Sequence, residues 1–239
     1  MTEWFPTTLA YIFIAIIIIL LFISIVILII SIRTQIADDF PRNAHEFDPN
    51  KLKTGDIVTV GYRNPFGWFA TMWTGSIWTH CGMAWKDPHN DLLYIIEAAH
   101  YPGKWRGVFK IPFDLWIRYN QHGYLSYTPL VGERPDHFEE KLDRAFDAIK
   151  KNSLDKFNCN WARLLFKFPY QPNPDQSSYT CYELIIKLLQ EVGVVRKKYM
   201  PASYFPNDLV FGRLDMKKGY TYDYPIFFES SSYYDFIDM

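Results

Sequence analysis

Cysteine is scarce and unpatterned in this chain. Cys81, Cys159 and Cys181 are the whole complement, too few and too scattered for a disulfide framework. No CxxC pair occurs, and the six histidines do not fall beside the cysteines at zinc-site spacing, which argues against a metal site. A Gly-rich phosphate loop is missing, as is any internal repeat, so no cofactor is expected. Charge of one sign is missing too: 25 Lys and Arg stand against 26 Asp and Glu. A nucleic-acid binder carries a clear basic excess or stripe, so nucleic acid is excluded as a partner. The odd number of thiols fits a reducing compartment.

What the chain has in quantity is aromatic and aliphatic surface. Aromatics make up 18% of its 239 residues, more than a disordered chain carries and enough to fill a core. From Leu9 to Ile32 no charged residue appears and Ile dominates. At ~1.5 Å per residue that run crosses a hydrocarbon core of ~30 Å. A cleaved signal peptide would show a basic start, a shorter apolar run and a small-residue cleavage site. A retained single-pass anchor over residues 1–33 is the better fit. Arg33 and Arg42 follow the span and no Lys or Arg precedes it, which places the following domain on the cytosolic side.

Residues 34–50 read as a short polar tether, and 51–212 as one domain of α+β class, an antiparallel sheet packed on helices. The domain opens with a turn at Lys51-Leu52-Lys53-Thr54-Gly55-Asp56 and a strand at Ile57–Val60. An aromatic, Gly-containing loop spans Arg63 to Ser76. The strands Ile77–Trp85 and Leu92–Ala99 flank the turn Asp87-Pro88-His89-Asn90-Asp91 and make a hairpin. Further strands are expected near Gly107–Pro112 and Gly123–Leu130. From Pro135 the pattern turns helical, with Phe138, Leu142, Ala145, Phe146 and Ile149 on one side. Asp136 and Glu139 are spaced as a capping box there. A short helix over Asn160–Phe168 and the breaker Gln171–Asp175 lead to another helix. The tail, 213–239, is rich in Tyr, Phe and Asp, and fits either a final strand or a loosely held end.

Three residues carry chemistry in this layout. His80 sits in an apolar strand, and Glu97 ends the most hydrophobic strand of the domain. A carboxylate after four apolar residues is expensive to bury unpaired, and a histidine on the neighbouring strand can share its hydrogen bond. Cys181 opens the helix marked by Leu184, Ile185, Leu188, Leu189 and Val192, which Gly193 ends. Thr180 and Glu183 form a capping box around it, which sets the thiol at N1 among unpaired N–H groups. The positive end of the helix dipole biases such a thiol toward thiolate. By itself the position suits a small buried filler better than a nucleophile, and the rest of the chain shifts that balance. Cys81, next to His80, is expected to point to the opposite face and to be structural, as is Cys159.

The order of these pieces resembles the circularly permuted branch of the NlpC-type papain-like superfamily. Members include bacterial amidase-like proteins, lecithin:retinol acyltransferase-like enzymes and large-DNA-virus proteins. The residues that carry the resemblance are Leu52-x-x-Gly55-Asp56, Thr79-His80-x-Gly82-Met83 and Tyr94-x-Ile96-Glu97-Ala98. Phe157-Asn158, Tyr179-x-Cys181-x-Glu183-Leu184 and Pro206-x-Asp208-Leu209 complete the set. Relatives commonly read Cys-Ser-Glu at the nucleophile, whereas Tyr182 stands here, expected on the exposed side of the first turn. The resemblance implies a papain-like fold and a thiol hydrolase with Cys181 as nucleophile, His80 as base and Glu97 as orienting group. Its substrate would be a peptide-like amide or an acyl lipid. It also makes a viral membrane and virion or membrane-complex partners plausible settings. A lipid acyltransferase or phospholipase, and a non-catalytic anchored scaffold, are the alternative readings.

Overall fold

The computed structural model describes residues 4–39, 47–62, 64, 67, 71, 76–101, 105–152, 179–201, 204 and 206–230. Several expectations fall on residues outside this set: Arg42, most of the Arg63–Ser76 loop, Phe157-Asn158, Cys159, the Asn160–Phe168 helix, the Gln171–Asp175 breaker and the last residues of the tail. Two compact units divide the chain, 1–43 and 44–239.

The first unit is helix α1, Trp4–Asp39. Leu9–Leu28 is long and apolar enough to cross a membrane, with a mean hydropathy of 3.4 and none of the span buried within the protein. The helix runs on to Asp39, so residues 34–39 are helical where a tether was expected. The other end of that tether belongs to the second unit. Phe47 is buried there and stacks on Phe228 with ring centroids 4.0 Å apart.

The second unit is α+β. Its sheet runs β4-β3-β2-β1-β5-β8 with every pair antiparallel. The strands are β1 (Ile57–Tyr62), β2 (His80–Lys86), β3 (Leu93–Tyr101), β4 (Trp105–Pro112), β5 (Gly123–Thr128) and β8 (Ile226–Phe228). Short strands β6 (Leu130–Val131) and β7 (Thr221–Tyr222) pair separately. Part of the tail thus forms the edge strand β8, one of the two outcomes left open by its composition.

Both faces of the sheet are covered, which is why its central strands β1 and β2 are buried almost throughout. Alternation sends Ile57, Cys81, Met83, Ile96 and Ala98 to one face, where helices α3 (Phe138–Asn152) and α4 (Cys181–Glu191) pack. Val58, Val60, Ala84, Ile95 and Ile111 go to the other, beneath α2 (Phe113–Asn120). Helix α2 was not foreseen, although Phe113, Trp116, Ile117 and Asn120 recur at helical spacing and are all buried.

Helix α3 buries Phe138, Leu142, Phe146 and Ile149 as its periodicity requires, but it begins at Phe138. His137 adopts a left-handed φ of 57°, which breaks the helical path ahead of Phe138. Asp136 therefore lies too early to cap it. The turn before β1 has a clear purpose: the Asp56 carboxylate accepts from Lys53 N–H at 2.9 Å, Leu130 N–H at 2.9 Å and Arg134 at 3.0 Å. Gly55 takes a φ of 95° to make that turn.

Candidate active site

Helix α4 begins as its sequence requires. Thr180 is the N-cap and the capping box forms, with Thr180 N–H donating to Glu183 Oε2 at 2.9 Å. Cys181 is N1, half-buried, and carries a free thiol. Tyr182 is the correction in this turn: it is buried in the core rather than on the exposed side. Helix α4 sits between the sheet and α3, so its first turn has little solvent face to offer.

The base and carboxylate come from the neighbouring strands β2 and β3, on the α2 side of the sheet. His80 Nε2 lies 2.6 Å from Glu97 Oε2, with His80 8% and Glu97 0% exposed. That bond leaves Nδ1 for the thiol, and His80 and Cys181 lie close enough to shift each other's protonation. All three residues singled out in the sequence meet at the start of β2.

Register explains how residues on opposite faces converge. The β1–β2 pairing continues to Val60 and His80, whereas the β2–β3 pairing ends at Met83 and Ile96. Beyond Met83, β2 is paired on one side only. Ala84 N–H donates across to Asp56 in the turn before β1, so the N–H of Cys81, an odd number of residues earlier, points the other way. On that side Cys81 lies near enough to the Cys181 sulfur to lower its pKa. Cys81 does point to the opposite face from His80, as expected, but that direction leads it to the site rather than away from it.

These contacts set the protonation states. The neighbouring Cys81 leads in holding the Cys181 thiol well below its ordinary range, and together with His80 it outweighs the opposing effect of burial. For His80, burial works against the charged ring. Neighbouring Tyr62, the nearby Cys181 sulfur and the hydrogen-bonded Glu97 carboxylate overcome it and hold the imidazolium well above its usual value. Burial pushes the Cys81 thiol well up, helped by the charge on Cys181, so Cys81 stays protonated. Both directions favour a thiolate–imidazolium pair over the neutral one.

A further set of side chains, absent from the sequence reading, braces the carboxylate. Trp116 Nε1–H donates to Glu97 Oε2 at 3.0 Å, and Asn120 Nδ2 donates to the Trp116 carbonyl at 2.8 Å. Tyr62 O–H donates to Asn120 Oδ1 at 3.0 Å, and its ring lies parallel to that of His80, 6.4 Å away. The circuit runs from His80 through Glu97, Trp116, Asn120 and Tyr62 back to His80. Its sequence signal was the buried face of α2, one turn of which carries Trp116 and Asn120. Tyr179 is buried in the core beside α4.

No family model matches the chain, and no curated protein does. Among solved structures, the metalloprotein YiiX of Escherichia coli O157:H7 is similar with a TM-score of 0.44 and 20% identity, over 59% of this chain and 67% of that one. A likeness that loose carries nothing about fold family or chemistry. Among the described residues no group of three or more His, Cys, Asp and Glu is arranged to hold a metal ion.

Proposed function

We propose that this chain is a thiol hydrolase of the permuted NlpC-type papain-like kind, held to a membrane by α1 and acting on amide or ester bonds. One observation carries the reading: a half-buried thiol at a helix N-terminus stands beside a histidine that is hydrogen-bonded to a buried carboxylate. Nucleophile, base and orienter stand in sequence, the arrangement that activates a thiol for acyl transfer.

In the first half-reaction the Cys181 thiolate adds to the substrate carbonyl carbon. The oxygen gains negative charge, and the N–H groups of the first turn of α4 lie at the helix end suited to receive it. Collapse of the adduct breaks the bond to the leaving nitrogen or oxygen, which takes the proton from His80. A thioester on Cys181 and a neutral imidazole remain. Water then attacks the thioester carbonyl while His80 accepts its proton, and the acid leaves. Glu97 keeps the ring oriented through both steps.

The apolar span of α1 favours a second acceptor or substrate class within reach, acyl lipids of the bilayer, which would make the protein a phospholipase or lipid acyltransferase. The positive-inside pattern supports a cytosolic catalytic unit. Incubation of the full chain with labelled peptide amides, simple esters and phospholipids, followed by mass analysis, tests the proposal. The expected result is an acyl mass on the peptide containing Cys181, lost in Cys181→Ala and not formed by His80→Ala. Absence of an adduct from every substrate class, or an adduct on another residue, contradicts it. The substrate that acylates the thiol separates the amide route from the lipid route.

A further inference from the structure

Basic charge is concentrated in one stretch of a chain whose net charge is −1: residues 193–220 hold six Lys and Arg against two Asp. The fold gathers them. Val195 pairs antiparallel with Met216, Arg196 N–H donates to the Asp215 carbonyl at 2.8 Å, and Lys217 N–H to that of Val194 at 2.9 Å. This two-stranded clasp buries Val194, Val195 and Leu214 and leaves Arg196, Lys197, Lys198, Arg213, Lys217 and Lys218 exposed. Asp215 lies 3.7 Å from Arg196, and Glu191 serves both Lys187 and Lys197. Lys198, Arg213, Lys217 and Lys218 make no ion pair among the described residues.

Apolar side chains stand out among these cations. Met200 is 47% and Phe211 53% exposed. Lys198 Nζ lies 5.0 Å from the centre of the Tyr199 ring, and the Arg213 guanidinium 5.8 Å from that of Phe211. Cations alone would suit any polyanion. Exposed Met and Phe set between them suit a layer whose charge lies over hydrocarbon, where aromatic rings settle at headgroup depth and long basic stems reach the phosphates.

We propose that this clasp is a docking surface for anionic phospholipid headgroups, a second membrane contact besides α1. The proposal rests on α1 as a membrane span and is independent of the chemistry at Cys181. A tethered domain meets the bilayer surface at high effective concentration, so even a modest patch is occupied. Binding of this kind is electrostatic and weakens with salt.

The test is lysine acetylation of the full chain in nanodiscs, read residue by residue by mass spectrometry. Neutral phosphatidylcholine discs are compared with discs that also hold phosphatidylserine. The expected result is a roughly threefold or larger fall in labelling of Lys197, Lys198, Lys217 and Lys218 in the anionic discs, reversed by high salt. Lys141 and Lys151 on α3 stay unchanged. In Lys198→Glu combined with Lys218→Glu, the labelling of Lys197 and Lys217 returns to its neutral-disc level. Equal labelling in the two discs overturns the proposal, and so does an equal fall at Lys141 and Lys151. Protection by added duplex DNA in neutral discs, without protection by phosphatidylserine, assigns the patch to nucleic acid and overturns it as well.

Discussion

Replacing Glu97 by Gln removes one charge from the centre of the site while keeping size and an oxygen acceptor. His80 Nε2 and Glu97 Oε2 are 2.6 Å apart with both residues buried, which puts the charge centres about 4 Å apart. At an effective dielectric near 20 their attraction is worth about 4 kcal/mol as an upper bound, and its loss lowers the imidazolium pKa. The amide oxygen of Gln still accepts the ring N–H, and the site relaxes, so the realised loss is a fraction of that bound. Cys181 depends on that imidazolium, and its own midpoint rises as the His80 midpoint falls. The assay is alkylation of Cys181 by iodoacetamide as a function of pH, followed by mass spectrometry. In the natural chain the depressed thiol keeps reacting as pH falls below the ordinary cysteine range, and slows only below its own lowered pKa. In Glu97→Gln the slowing sets in at higher pH, with a rate about 10- to 100-fold lower near pH 6. A thermal melt verifies that the variant is folded. Superimposable profiles for the two proteins would refute the reasoning, because Glu97 would then have no electrostatic hold on the thiol.

Trp116→Phe deletes the donor to Glu97 but keeps most of the packing. A hydrogen bond to a charged acceptor contributes about 1.5–3 kcal/mol, so the alkylation profile moves in the same direction as in Glu97→Gln, by less. In the Glu97→Gln background the same change shifts the profile by under about twofold, because its route to the thiol is already lost; an equal shift in both backgrounds means Trp116 acts through packing alone. Cys81→Ala removes the thiol beside the Cys181 sulfur and raises the pH at which alkylation begins, while Cys81→Ser restores it; an unchanged onset in Cys81→Ala denies that influence. Gly82→Ala drives a new Cβ into the Ile95 Cγ2 methyl. Overpacking of that kind costs about 1–3 kcal/mol, at about 2–4 °C of melting temperature per kcal/mol, and an unchanged melt contradicts it.

Much of this arrangement could be read from the chain, and the parts that could not have a common cause. Alternation and turn residues placed β1, β2 and β3 within a few residues, since each is a strongly apolar run between breakers. The capping signal at Thr180 and Glu183 located the start of α4 to the residue, because it depends only on neighbours within one turn. His80 and Glu97 were paired by a local argument as well, a buried carboxylate in need of a partner on the adjacent strand. Cys81 escaped because its place at the site follows from where β3 stops pairing with β2, and register between strands is not a local property. Trp116, Asn120 and Tyr62 escaped for the same reason: they join through side chains from three separate elements. Tyr182 was placed on the wrong side because periodicity marks one apolar stripe on α4, whereas the helix is buried on nearly every side. The Asp136 cap failed to a backbone feature, the left-handed His137, that no residue pattern announced.

The central claim is that Cys181 is held as a thiolate by His80. Ultraviolet thiolate absorbance, taken as the difference between the chain and its Cys181→Ala variant and titrated with pH, tests it most directly. The account predicts a thiolate signal well below the ordinary cysteine pKa of about 8.5. That signal moves up toward 8.5 in His80→Ala, because the imidazolium that stabilises it is gone. A natural chain whose Cys181 titrates as an ordinary thiol, or a His80→Ala variant whose titration is unmoved, would contradict it.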